Sequence, residues 1–194
     1  MEDIKVFRNL NNLAIAALIS EAEYDIFSVE PILKVPFDQK KSFYLAEVIK
    51  DCNLKAFIDF DLRKGQFTIH SHSVLKRLRQ QWYKDNTKIF SMKLDPDLIT
   101  LQSIVMCINL FGSRKLESIS IPTNIEKEHI KAISYCIEQH LNVPVIPSPN
   151  QIKITNIPRF IVAAIDEIPA IHSAELINFL TEKEKKRIME GASL

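Results

Sequence analysis

Glycine is scarce in this chain: Gly65, Gly112 and Gly191 are the three in 194 residues. A phosphate-cradling loop or a dinucleotide fingerprint needs several glycines close together, so that backbone amides can approach the ligand, and neither can be built here. Cysteine is equally sparse. Cys52, Cys107 and Cys136 are odd in number, far apart, and each falls in a helical apolar pattern. They read as buried thiols in a reduced compartment, not as a disulfide framework or a metal site. Long apolar runs are missing as well. The longest near the start, residues 13–19, is too short to span a bilayer, and acidic Glu2 and Asp3 stand where a secretory leader would be basic. A cytoplasmic or nuclear location is the expectation. The formal net charge is only +1. No global field steers the chain towards nucleic acid or membrane, and a charged partner has to be met locally.

What is present is an ordinary globular mixture, 46% hydrophobic and 25% charged. That is enough to bury a core without disulfides or metals, in one domain or two small ones. The stretch around which the rest is organised is residues 95–112. Asp95 can cap a helix, Pro96 suits its first turn, and Gly112 marks its end, where a left-handed residue is expected. Leu98, Leu101, Ile104, Val105, Ile108 and Phe111 form one stripe, and Ile99, Met106 and Leu110 form a second. A helix that is apolar on more than one side belongs inside the molecule.

Upstream, residues 4–20 read as a helix, 24–29 as a strand followed by a loop bounded by Pro31 and Pro36, and 38–52 as a second helix opened by Asp38 and burying Phe43, Leu45, Ala46 and Ile49. The stretch 57–72 alternates as a hairpin. Placing both apolar sets on one face requires Phe60 opposite Phe67 and Asp61 opposite Gln66, with 62–65 as the loop. The other face then carries Asp59, Asp61, His70 and His72, a set of residue types able to bind a divalent metal, or simply the solvated side of a half-buried hairpin.

Residues 73–85 read as a helix with Val74, Leu75, Leu78 and Trp82 on one side. Between 63 and 93 there are eight basic residues and one acid, Asp85, so this segment is +7 and the remainder −6. Arg63, Lys64, Lys76, Arg77, Arg79, Lys84 and Lys88 are the candidate phosphate contacts, with Tyr83 or Trp82 available for stacking. The plain alternative is a solvated basic face paired with carboxylates elsewhere.

Further on, 88–94 reads as a strand, 115–121 as a strand, Thr123 and Glu126 as a capping box opening a helix to about residue 140, and 143–146 as a short strand. Strand, helix, strand, helix, strand implies right-handed crossovers and parallel strands. Ligands in such sheets favour the loops after the strand ends, which hold Asp95, Asp97, Thr123, Asn124, Ser148 and Asn150. After Pro147 and Pro149, residues 151–157 read as a strand, 160–165 as a buried strand, and Ser173 and then the Thr181/Glu184 pair as caps of terminal helices.

The fold class expected is therefore α/β or α+β. A helix–strand–helix–hairpin–helix region covers 1–87, a βαβαβ unit with parallel strands covers 88–146, and a β/α segment covers 147–194, with the whole able to form one domain. Three functions fit. The first is a non-enzymatic subunit of an intracellular, nucleic-acid-handling assembly, meeting phosphates or an acidic protein surface through residues 63–93. The second is a metal-assisted hydrolase or nuclease-like enzyme using Asp59, Asp61, His70 and His72. The third is a structural hetero-oligomer partner offering apolar residues around 160–171. No cofactor is expected, and the protein partner, if there is one, is not specified.

Overall fold

A computed structural model describes residues 2–70, 72–90 and 98–190. The chain is built from one arrangement used twice. Helix α1 (Glu2–Ile19) leads into strands β1 (Glu23–Tyr24) and β2 (Leu33–Pro36), helix α2 (Ser42–Asp51), strands β3 (Ile58–Asp61) and β4 (Gln66–Ile69), and helix α3 (Ser73–Trp82). A small hairpin, β5 (Tyr83–Lys84) and β6 (Thr87–Lys88), follows. The order then recurs: α4 (Leu101–Phe111), β7 (Ser113–Lys115), β8 (Ser118–Pro122), α5 (Lys127–Leu141), β9 (Val145–Ser148), β10 (Gln151–Thr155) and α6 (Ile157–Ala164). Helices α7 (Ala170–Leu176) and α8 (Glu182–Met189) complete the chain.

The two sheets have the same strand order, β1-β2-β4-β3 and β7-β8-β10-β9. Their details match at several points. Both second strands end in proline, Pro36 and Pro122. The Phe37 amide donates to the Gly65 carbonyl at 2.9 Å, and the Thr123 amide donates to the Asn150 carbonyl at 3.0 Å. Gly65 and Asn150 both take a left-handed backbone, φ +59° and +57°, as do Asn53 and Asn142 after the second helix of each unit. Asparagine and glycine are the residues that pay least for that conformation.

All strand pairing among the described residues is antiparallel. The parallel βαβαβ arrangement is thus corrected, and with it the rule placing ligands at parallel strand ends. Other elements differ from the expectation as well: the strand expected over 24–29 is only Glu23–Tyr24, and the helix expected over 73–85 stops at Trp82, where Tyr83 and Lys84 form β5. Residues 33–36 form a strand between their prolines, because Leu33 and Val35 point inward while Lys34 and Pro36 point out. The run 115–121 is two strands, folded at exposed Leu116, whose φ is +53°. The run 160–165 lies in helix α6, and Ser173 sits inside α7 rather than capping it. The hairpin register is as expected, Phe60 opposite Phe67 and Asp61 opposite Gln66.

The core centres on α1 packed against α4. Residues 103–110 are all buried, as are 13–19 of α1, where Ala14, Ala16 and Ala17 keep the surface low enough for close approach. Each fully buried leucine or isoleucine here contributes about 1.5–3 kcal/mol. Helix α4 starts later than expected. Thr100 caps it, accepting from the Ser103 amide, while Ser103 Oγ accepts from the Thr100 amide; Asp95, Pro96 and Asp97 lie outside the described residues. Gly112 is not left-handed but extended, at φ −70°. Glycine is required there because a Cβ would stand 2.4 Å from the Ile108 carbonyl oxygen and 2.9 Å from Ile119 Cγ2. In α2 the buried residues are Tyr44, Leu45, Val48 and Ile49, and Phe43 faces solvent. The capping box at Thr123 and Glu126 does not form: Glu126 precedes α5 without a side-chain cap, and Thr123 instead accepts from the Ile125 amide. The box at Thr181 and Glu184 does form and opens α8.

Candidate functional site

The seven basic candidates do not share one surface. Arg63 and Lys64 occupy the β3–β4 tip, where Lys64 Nζ lies 3.3 Å from Asp61. Lys76, Arg77 and Arg79 are on α3, which covers the buried side of the first sheet: the Tyr24 hydroxyl reaches across to donate to the Leu75 carbonyl. Their exposed side therefore faces away from the sheet's outer face. Lys76 is paired with Glu30 at 3.0 Å, Arg77 donates to Asn11 Oδ1, and Arg79 lies over the Tyr24 ring. Lys84 is exposed beside the β5–β6 turn.

Lys88 is buried and points inward. Its Nζ donates to the Leu18 carbonyl at 3.1 Å, the Ser20 carbonyl at 2.9 Å and Asn124 Oδ1. Burial pulls its pKa down to about 7, against the pull of Glu23 and Glu21. It ties the end of α1 to the second unit and is not a phosphate contact. Trp82 is buried against Phe90, and Tyr83 is half-buried in an edge contact with Tyr24, so neither offers a free stacking face.

The hairpin face keeps only part of the proposed metal set. His70 Nε2 lies 2.5 Å from Asp59 Oδ2, whereas Asp61 accepts from the Lys64 amide, and His72 leaves the hairpin to cap α3 by accepting from the Val74 amide. The turn into α3 begins at His72, so the His-x-His spacing does not continue the strand alternation. Among the described residues no three His, Cys, Asp or Glu side chains come together to hold a metal. Of the apolar residues expected to be exposed near 160–171, Phe160, Ile161 and Ile168 are buried, while Val162, Ala163 and Ala170 are exposed.

Two surfaces emerge that the residue patterns alone had not joined. One is a cleft of about 350 Å³ between the two sheets, floored by the ends of α1 and α4. Ser20, Glu21, Asp38, Lys41, Lys64 and Ser113 line it. Lys41 is committed to Glu175 at 2.7 Å, and the carboxylates present, Glu21 and Asp38, bring no histidine or cysteine with them.

The other is the outer face of the second sheet. The register aligns Ser113, Ser120 and Lys153 in one row, and Lys115, Ser118 and Thr155 in the next. Ser120 Oγ donates to Gln151 Oε1 at 2.7 Å. The strands of this face carry two lysines, short hydroxyls and an amide and no carboxylate, and exposed Glu117 of the β7–β8 turn lies at its end beside Lys115, Ser118 and Thr155. The same face of the first sheet carries Glu23, Lys34, Thr68 and Asp59 in one row and Pro36, Gln66 and Asp61 in the next. Its balance is acidic. The signal for the second face was available in the polar–apolar alternation of 118–121 and 151–155, which places each serine, threonine or lysine opposite another once the strands are antiparallel. Of the loop residues singled out, Asn124 bridges the two units, accepting from Lys88 and donating to Glu23 Oε1 at 3.0 Å; Ser148 and Asn150 border the β9–β10 turn.

No family model matches the chain. No curated protein matches it by sequence. Solved structures do share its fold. It is similar to the homing endonuclease I-WcaI bound to its DNA recognition sequence, with 12% identity and a TM-score of 0.55 over 93% of this chain and 86% of that one. It is also similar to full-length DUF199/WhiA from Thermatoga maritima, with 13% identity and a TM-score of 0.53 over 100% of this chain and 67% of that one. The neighbours have LAGLIDADG-type α/β folds, and at these identities the likeness is one of fold. Among the described residues no helix is long and apolar enough to cross a membrane.

Proposed function

We propose that this chain is a non-enzymatic, duplex-DNA-binding subunit that contacts the phosphate backbone through the outer face of its second sheet. The observation that carries this reading is the polar ladder of Ser113, Lys115, Ser118, Ser120, Gln151, Lys153 and Thr155, whose strand residues include two lysines and no acid. Lysines supply the long-range attraction and the Gln151 amide a donor beside them, while the Ser113, Ser118, Ser120 and Thr155 hydroxyls donate within the protein and keep the face polar. The fold supports the same reading, because one solved protein of this shape is a homing endonuclease bound to its DNA. Arg63 and Lys64, at the hairpin tip beside the cleft, extend the cationic surface. Lys76, Arg77, Arg79 and Lys84 lie on another layer and are left for an acidic protein surface in the same assembly.

Cleavage is not part of the proposal. The cleft offers two carboxylates, and among the described residues no three His, Cys, Asp or Glu side chains gather to hold a metal. The test is anisotropy of a labelled duplex of twenty base pairs, read as a function of salt. Wild-type protein binds at low salt and weakens steeply as salt rises. The double variant Lys115→Glu, Lys153→Glu binds at least tenfold more weakly, with a salt slope shallower by about two. A double variant that binds like wild type removes this surface from consideration.

A further inference from the structure

A separate cavity of about 370 Å³ opens at the other end of the α1–α4 pair. It is ~16 Å along α1 from the cleft, at 1.5 Å per residue between positions 9 and 20. Lys5, Arg8 and Asn9 of α1, Asp51 of α2, Gln102 of α4 and His172 of α7 line it. Its volume falls within the ordinary range of small-molecule pockets.

Three features of this cavity point to a ligand. Lys5 and Arg8 are exposed, stand one helical turn apart on the same face, and have no ion-pair partner among the described residues. Asn9 is 7% exposed and borders the cavity, yet its side chain has no hydrogen-bond partner among the described residues. The Asn9 amide is not sealed from solvent, and it borders the cavity, where a ligand can meet it. Asp51, also without an ion pair among the described residues, stands on the rim. The floor is rigid: His172 is fully buried, its Nδ1 is 2.7 Å from the Tyr44 hydroxyl and its Nε2 is 3.3 Å from the Gln102 amide. Asn109 braces the same network, donating to the Tyr44 hydroxyl and to the His172 carbonyl.

We infer that this cavity binds a small hydroxylated phosphate ester, its phosphate held by Lys5 and Arg8 and its hydroxyls met by Asn9, Gln102 and Asp51. Two free cations one turn apart suit a dianion, and the arginine fork can grip two of its oxygens at once. The rim carboxylate accepts from hydroxyls and disfavours a second anionic group, so the ligand carries its charge at one end only. A duplex is too wide to enter, so this site is independent of the DNA surface proposed above.

The experiment is calorimetric titration of the full chain with ribose 5-phosphate, with inorganic phosphate and ribose as parallel arms. Ribose 5-phosphate binds, and each half-ligand binds at least tenfold more weakly. The double variant Lys5→Ala, Arg8→Ala keeps its melting temperature, because both side chains are exposed, and loses at least tenfold in affinity. If that variant does not fold, Arg8→Gln serves, with a loss of several-fold. Side-chain imidazole signals of His172, followed by NMR, shift on titration. Absence of binding, equal binding of inorganic phosphate, unchanged affinity in the variant, or binding that leaves His172 unmoved would each overturn the inference.

Discussion

Replacing Gly112 by alanine tests how the central helix hands over to its strand. A Cβ at this position meets the Ile108 carbonyl oxygen at 2.4 Å and Ile119 Cγ2 at 2.9 Å. Carbon and oxygen rarely approach closer than about 3.3 Å, so the oxygen is roughly 0.9 Å too near. It cannot swing aside, because it belongs to the backbone of α4 and already accepts the Gly112 amide at 2.8 Å. Overpacking costs about 1–3 kcal/mol when side chains can yield, and a backbone neighbour places this case near about 3 kcal/mol. At about 2–4 °C per kcal/mol for a chain of this size, the melting temperature falls by about 6–12 °C. Gly65→Ala is the control. Gly65 is left-handed at φ +59°, but its nearest neighbour, the Phe37 carbonyl oxygen, is at an ordinary 3.4 Å. Its cost is backbone strain alone, about 1 kcal/mol. Both variants gain the same small benefit in the unfolded chain, so their difference isolates the contact. Urea unfolding of the two measures it. If Gly65→Ala is the more damaging, close approach is not what keeps glycine at 112.

Other outcomes follow from the same geometry. Burial pulls the His172 imidazole down to about 4, with Asp51 pulling the other way. Its unfolded value is near 6.5, so the unfolded chain binds the proton first. The contribution is fully present above about pH 6.5 and is lost as pH falls towards 4, about 3 kcal/mol in all. Urea midpoints across that window show the slope, and His172→Gln flattens it; a wild-type profile already flat there contradicts a buried neutral ring. Arg114 holds Glu184 through two hydrogen bonds, 2.8 and 2.9 Å, with both side chains about one-fifth exposed (21% each). Arg114→Ala therefore costs about 1–2 kcal/mol and loosens α8 first, seen as earlier proteolysis after Lys183 to Arg187. Lys88→Met leaves the Leu18 and Ser20 carbonyls without their donor, a loss of about 1–3 kcal/mol for each group so exposed to burial, offset by removal of a buried charge. Thermal unfolding of Lys88→Met beside Asn124→Ala shows whether the bridge acts as a unit: strongly non-additive losses are expected, and simple addition contradicts it.

The parts of the fold that were legible are those where one side chain pattern has one physical solution. The all-round apolar run at 98–111 calls for burial, and its residues 103–110 are buried. The alternation of Ile58, Phe60, Phe67 and Ile69 admits one hairpin register, and the strands adopt it. Where two solutions exist, the pattern did not decide. The run at 160–165 is apolar in a way that a strand or a helix can satisfy, and Pro158 in the first turn favours the helix that formed. The short strand 33–36 was hidden by prolines that tolerate an exposed position pointing away from the ladder. The repeat itself is invisible in the residues because each unit solves the same backbone problem differently: glycine at 65 and asparagine at 150 share a left-handed turn, and Ala22 and Gly112 precede equivalent strands. Residues 13–19 carried the same message as 98–111, and were informative as a buried helix rather than as a failed membrane span.

The candidate site was less legible for an electrostatic reason. Charge clustered in sequence between 63 and 93 is divided in space among a hairpin tip, a helix back and a buried bridge, and Lys64, Lys76 and Lys88 are already answered by Asp61, Glu30 and backbone carbonyls. The lysine and hydroxyl rows of the second sheet depend on which serines and lysines become neighbours across strands, and that depends on antiparallel pairing.

The most direct measurement is one sample read twice. Labelled duplex DNA is mixed with the full chain at low salt in the presence of magnesium, its anisotropy is recorded, and the same DNA is then run on a denaturing gel. The account predicts a rise in anisotropy that salt reverses, with the strands intact. An unchanged anisotropy, or a ladder of cut strands, would contradict it.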